Sequence, residues 1–200
     1  RIMSLYNQNI LKIWKIHQNW TLFLDRDGVI NKRKIGDYIK IIDEFEFLPD
    51  VKEALAILAK YFNKIIIVTN QQGIGKGIMT ENDLNEIHKY MIEEILKSGG
   101  RIDAIYHCPD LSNSNSNCRK PNPGMALKAK EDFPMIDFSH SMMVGDSKVD
   151  MDFAQNLGMK KIFIGDLEEV ELTLVDIDLV FQSLYDFAIE VKQYYQNLQL

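Results

Sequence analysis

Asp25 and Asp27 stand two residues apart, with Gly28 directly after them. Carboxylates this close repel, so they converge on one point only where a cation lies between them or one keeps its proton. Such a pair can divide a phosphoryl transfer. One carboxylate attacks phosphorus, and the other protonates the leaving oxygen and later takes a proton from water. Gly28 suits the tight turn this needs. Three further clusters could serve the same reaction. Val68-Thr69-Asn70-Gln71-Gln72-Gly73 offers a hydroxyl and N–H groups to phosphate oxygens. Arg119-Lys120-Pro121 offers two cations to a phosphate dianion. The segment from Val144 to Asp150 supplies Asp146 and Asp150, hard oxygen donors of the kind Mg²⁺ takes.

Most of these clusters follow a short apolar run that reads as a buried strand. Thr21–Leu24 ends at Asp25, Lys64–Thr69 ends at Asn70, and Ser141–Val144 ends at Gly145-Asp146. Their lack of alternation fits strands covered on both faces. Further strands are expected at 102–106, 161–164 and, as a short edge, 179–181. Helices are expected at 49–61, 80–98, from 122–124 to 132, at 150–157 and at 183–195. Thr80 with Asp83 has the spacing of a capping box. Strand and helix alternating in this way predict an α/β fold, a doubly wound parallel sheet with helices on both faces. Such sheets bind ligands beyond the carboxyl ends of their strands, where the polar clusters lie.

The 200 residues suggest an N-terminal extension over 1–19 and a single domain over 20–200. In the extension Ile10, Leu11, Trp14 and Ile13 fit one helical face, which would dock on the domain or on a second subunit. A net charge of −6 argues against nucleic acid, and no apolar run is long enough to span a bilayer. Two cysteines, Cys108 and Cys118, are too few for a disulfide scaffold and fit a cytoplasmic protein, a monomer or small homo-oligomer. The acidic stretch Glu168, Glu169 and Glu171 reads as a solvated loop, and His17, His88 and His140 have no evident partners.

The motifs DRDG, VTNQ, RKP and GDSxxD, in that order from Trp20 to Gly165, resemble the haloacid dehalogenase superfamily of aspartate-nucleophile phosphatases. Within it, DRDGVIN, TNQQGIGKG, CRKPNPGM and MVGDSKVDM are similar to the branch acting on D-glycero-D-manno-heptose 1,7-bisphosphate, close to the histidinol-phosphate phosphatases. The resemblance implies a minimal cap and a Mg²⁺-dependent phosphomonoesterase that works through an aspartyl-phosphate on a small phosphorylated metabolite. It implies Asp25 as nucleophile and Asp27 as general acid and base. Asp25, the Asp27 carbonyl and Asp146 become the Mg²⁺ ligands, and Thr69 and Lys120 the pair holding the phosphate. Asn70, Gln71 and Arg119 become substrate contacts, with Asp150 and Gly28 in support. A non-catalytic binding protein or a phosphotransferase on the same fold are the alternatives. Relatives of this kind often carry a zinc loop of four ligands. Here Cys108 and Cys118 survive, while Asp110 and Ser116 replace the other two. Structural zinc is therefore not expected, and ordinary packing is expected to hold the loop. Ser147 also stands where such relatives often have Lys.

Overall fold

The computed structural model describes residues 2–168 and 177–199. Glu169 and Glu171 of the expected acidic loop lie outside these residues, and Glu168 is exposed. Among these residues six strands form one all-parallel sheet: β1 (Thr21–Leu24), β2 (Lys64–Asn70), β3 (Ala104–Cys108), β4 (Ser141–Gly145), β5 (Lys160–Ile164) and β6 (Leu179–Phe181). Their order is β3-β2-β1-β4-β5-β6, the doubly wound arrangement in which the chain reverses direction beside β1. The helices are α1 (Ile2–Trp14), α2 (Val51–Leu58), the single turn α3 (Gln72–Gly75), α4 (Glu81–Lys97), α5 (Gly124–Asp132), α6 (Lys148–Leu157) and α7 (Leu184–Leu198). No described helix is long and apolar enough to cross a membrane.

Side chains alternate along each strand, so the sheet builds two cores. Leu22, Leu24, Ile65, Ile67, Met142 and Val144 face α2, α4 and α7. Phe23, Ile66, Val68 and Met143 face α5 and α6. The capping box is present: Thr80 Oγ1 accepts from Asp83 N, and Thr80 N donates to the Asp83 carboxylate. Ser147 caps α6 and Ser183 caps α7 by the same kind of bond. The α2 helix is shorter than expected, because Pro49 and Asp50 form the turn before it. The third strand starts two residues later than expected. Asp103 is spent on Ile65 N, and Arg101 reaches the carbonyls of Ala59, Phe62 and Asn63.

The α1 helix docks on α7 of the same chain. Leu11 is buried in the larger core, whereas Ile13 is 70% exposed and leaves the expected face. Ser4, Asn7 and Gln8 all donate to the Glu190 carboxylate of α7. No separate cap is inserted among the described residues. Residues 28–47 form an arm with one 3₁₀ turn at Ile42–Glu44, tied down by bridges of Asn31 to Asp27 and to Phe47.

Candidate active site

The carboxyl ends of β1, β2 and β4 bring the sequence clusters together. Asp25 continues β1 and donates its N–H to the Val144 carbonyl at 3.0 Å. Its Oδ1 accepts from Arg26 N at 2.8 Å and from Lys120 Nζ at 3.0 Å. The Lys120 ammonium also donates to Asp150 Oδ1 and to the Val68 carbonyl, each at 2.8 Å. Three acceptors use its three protons, and Asp25, Lys120 and Asp150 are all buried. Burial pulls the Lys120 pKa down, but Asp150 and Asp25 outweigh it and push the group up to about 12. Burial raises Asp25 well above the carboxylate range, and Asp150, Asp146 and Asp27 add to that against the opposing Lys120.

Asp146 directly follows β4. Gly28 approaches it so closely, with φ of +87°, that a Cβ there would overlap the Asp146 carboxylate. Asp150 Oδ2 accepts from Asp146 N at 3.2 Å and Ser147 Oγ at 2.9 Å, so the first turn of α6 holds Asp150 toward Lys120. Ser147 thus also caps α6. Burial raises the Asp146 pKa despite the neighbouring Arg33. Arg33 lies across Asp146, with Nη2 2.8 Å from Oδ1 and Nε 3.2 Å from Oδ2, and Nη2 reaches the Asp27 carbonyl at 3.4 Å.

Carboxylate oxygens of Asp25, Asp146 and Asp150 lie within 4.8 Å of one another. This donor set fits a hard divalent cation. The raised Asp25 and Asp146 pKa values mark a shortage of positive charge there, and the Arg33 guanidinium already sits on two of the expected ligand atoms.

Thr69 is fully buried, and its Oγ1 accepts from Gln71 Nε2 at 3.0 Å. Gln71, expected as a substrate contact, is likewise buried at 1% exposure and donates to Asp27 Oδ2 at 3.0 Å. The Asn70 amide lines the cleft and bonds the Lys120 backbone through one N–H and its oxygen. The cleft holds about 660 Å³ and is rimmed by Arg33, Lys34, Tyr38, Lys76 and Arg119. Lys34 pairs with Glu44. Lys76 lies over the Tyr38 ring at 5.3 Å, and Arg119 reaches only the Asp110 carbonyl, so neither has a carboxylate partner among the described residues.

The loop leading to Arg119 is held differently from expectation. Cys108 and Cys118 are joined by a disulfide, which replaces both ordinary packing and a pair of zinc thiolates. Ser116 Oγ bonds the Asp110 carboxylate beside it, so the two residues replacing the missing ligands partner each other.

Sequence reasoning missed Arg26, Asn31 and His88. Arg26 is fully buried, and its guanidinium meets Asp27 Oδ1 at 2.9 Å, Asn31 Oδ1 at 3.2 Å and His88 Nε2 at 3.1 Å. The available signal was His88 itself, a polar residue in the apolar stripe Leu84, Ile87, Met91 and Ile95 of α4.

A doubly wound sheet with a strand-end carboxylate cluster and a buried lysine defines the class, and the comparisons agree. The family model described as "HAD-hyrolase-like" matches residues 117–187. The chain belongs to the haloacid dehalogenase-like hydrolases and is a phosphatase. It is 37% identical over 180 residues to the D-glycero-alpha-D-manno-heptose-1,7-bisphosphate 7-phosphatase of Mycobacterium bovis, covering 88% of this chain and 92% of that one. The protein of the same name from Campylobacter jejuni is 40% identical over 154 residues, covering 75% and 84%. Among solved structures, the D,D-heptose 1,7-bisphosphate phosphatase of B. bronchiseptica, complexed with magnesium and phosphate, matches with a TM-score of 0.79. It is 30% identical, with 87% of this chain and 98% of that chain covered.

Proposed function

We propose that this phosphatase hydrolyses D-glycero-D-manno-heptose 1,7-bisphosphate at C7 through an aspartyl-phosphate on Asp25. The observation that carries the reaction is the crowding of the Asp25, Asp146 and Asp150 carboxylates, two of them paired with the buried Lys120 ammonium. Mg²⁺, held by Asp25, the Asp27 carbonyl and Asp146, would offset the charge on the transferring phosphoryl group. Lys120 keeps Asp25 oriented. Its three protons are already placed, so it acts on phosphate mainly through its field.

An Asp25 oxygen forms the bond to phosphorus as the ester oxygen leaves and takes a proton from Asp27. Asp27 then takes a proton from water as the water oxygen attacks phosphorus, releasing phosphate and the Asp25 carboxylate. Buried Thr69, next to Asp27 through Gln71, supplies a hydroxyl to the phosphate oxygens.

The names of the relatives support the heptose substrate, and so does the rim. Lys76 and Arg119, without carboxylate partners among the described residues, suit a second phosphate at the far end of the substrate. Histidinol phosphate carries an ammonium there instead, which the same cations repel. The test is phosphate release with Mg²⁺ from both anomers of the heptose bisphosphate and from histidinol phosphate, for wild type and Asp25→Asn. The α anomer, carried in both relatives' names, is expected to turn over best, to lose its C7 phosphate, and to be inert with the variant. Preference for histidinol phosphate would overturn the substrate. No release from any of them by folded protein would favour a binding role.

A further inference from the structure

Asp27 is gripped from three directions by residues that line no cleft. Its Oδ1 accepts from Arg26 Nη2 and from Asn31 Nδ2, both at 2.9 Å, and its Oδ2 accepts from Gln71 Nε2 at 3.0 Å. Asn31 comes from the arm after β1 and Gln71 from the end of β2. Arg26 is held in turn by His88, which lies on α4, 62 residues away.

The His88 contact fixes the protonation of the ring. An Arg side chain has donors and no acceptor, so His88 Nε2 must present its lone pair, and the ring is neutral with its proton on Nδ1. Burial, with Arg26 adding to it, pulls the His88 pKa down to about 3. The ring is 7% exposed, and the Arg26 guanidinium carbon lies 5.8 Å from the centre of the Phe45 ring. The guanidinium is thus wedged between an imidazole, an aromatic face and the carboxylate it serves.

Burying this charge disfavours folding, and apolar residues could fill the same space more cheaply. The assembly does something apolar packing could not: it fixes the Asp27 carboxylate to one position.

We propose that Arg26 and His88 are positioning residues for proton transfer: neutral His88 seats the Arg26 guanidinium, and Arg26 aims Asp27 at the oxygen that gains and loses the proton. The proposal rests on Asp27 being the acid and base of the reaction above. It holds for any phosphomonoester substrate, so its test does not need the heptose assignment.

The test uses the fact that a proton is needed only by a poor leaving group. kcat/KM reports steps up to the aspartyl-phosphate, where an alkoxide requires Asp27 and p-nitrophenolate does not. The variants are His88→Leu, which removes the acceptor, and His88→Gln, whose amide oxygen can accept from Arg26. Thermal melts accompany both. For His88→Leu, kcat/KM is expected to fall about tenfold with an alkyl phosphate and less than twofold with p-nitrophenyl phosphate, because general acid catalysis is worth ~10²–10⁴ and is only partly lost. His88→Gln is expected to recover most of the alkyl phosphate rate. Equal losses on the two substrates, or no loss on either, would overturn the positioning role. So would failure of His88→Gln to recover despite a wild-type melt. Asp27→Asn is the control for the underlying reading: if it too treats both substrates alike, Asp27 is not the acid and the proposal falls with that reading.

Discussion

The floor of the cleft and its rim are built on opposite plans. On the floor, Asp25, Lys120 and Asp150 are buried, and every proton of the ammonium has an acceptor. On the rim, Arg119 is half-buried and Lys76 exposed, and neither meets a carboxylate among the described residues. The floor is rigid because each member would be costly to leave unpaired. The rim keeps its charges open, which suits a site where the ligand completes the pairing. Chemistry and selectivity therefore separate in space, and changes in the two regions should differ in kind as well as size.

The floor should fail most severely. Asp25→Asn is expected to lower kcat by at least ~10³-fold with little change in melting temperature, because the nucleophile is lost while the shape remains. Steady-state kinetics beside a thermal melt check both halves. Lys120→Met should harm activity and stability together. It leaves the Asp25 and Asp150 carboxylates buried without their cation, at a cost of about 3–5 kcal/mol, read by chemical denaturation.

On the rim, Arg119→Ala should raise KM for a bisphosphate by about tenfold, as for loss of one charge-assisted contact, with kcat and melting temperature nearly unchanged. An equal fall in kcat would merge the two regions and break the comparison. A separate effect falls on the pH dependence of stability. Unfolded His88 takes up a proton near its ordinary value of 6.5, and the folded protein resists it down to about 3. The titration has no effect above the first value. Stability is lost as pH falls between the two, at of order 1 kcal/mol per pH unit. Denaturation of wild type and His88→Gln across this range should show a shallower acid decline in the variant. Last, Arg33→Ala should tighten Mg²⁺ binding by about three- to fivefold in calorimetry. It frees Asp146 of an exposed guanidinium whose pairing is worth up to about 1 kcal/mol.

The floor was the more legible region in the sequence. Asp25, Thr69 and Asp146 each follow an apolar run, and parallel strands must deliver their ends to one edge. What stayed hidden depends on distant pairing. Arg26 reads as a spacer between two aspartates, since nothing local shows that its guanidinium turns inward to a histidine on α4. Gln71 follows Asn70 in sequence, yet alternation buries the one while the other lines the cleft. The start of β3 differs from the expectation because Arg101 and Asp103 tie adjacent segments rather than extend the ladder. The Cys108–Cys118 bond joins residues whose approach is set by the loop before α5, and composition could not reveal it.

The docking of α1 on α7 has a consequence for synthesis. Asn7 meets Glu190 across 183 residues of chain. At translation rates of about 5–20 residues per second, the first helix waits roughly 10–40 s after emerging before its partner is made. Through that interval the sheet can assemble strand by strand while Leu11 has no finished groove to enter. Closure of the two helices can only follow synthesis of α7, and a nascent chain stalled before it would leave the Leu11 face of α1 open to chaperones and proteases.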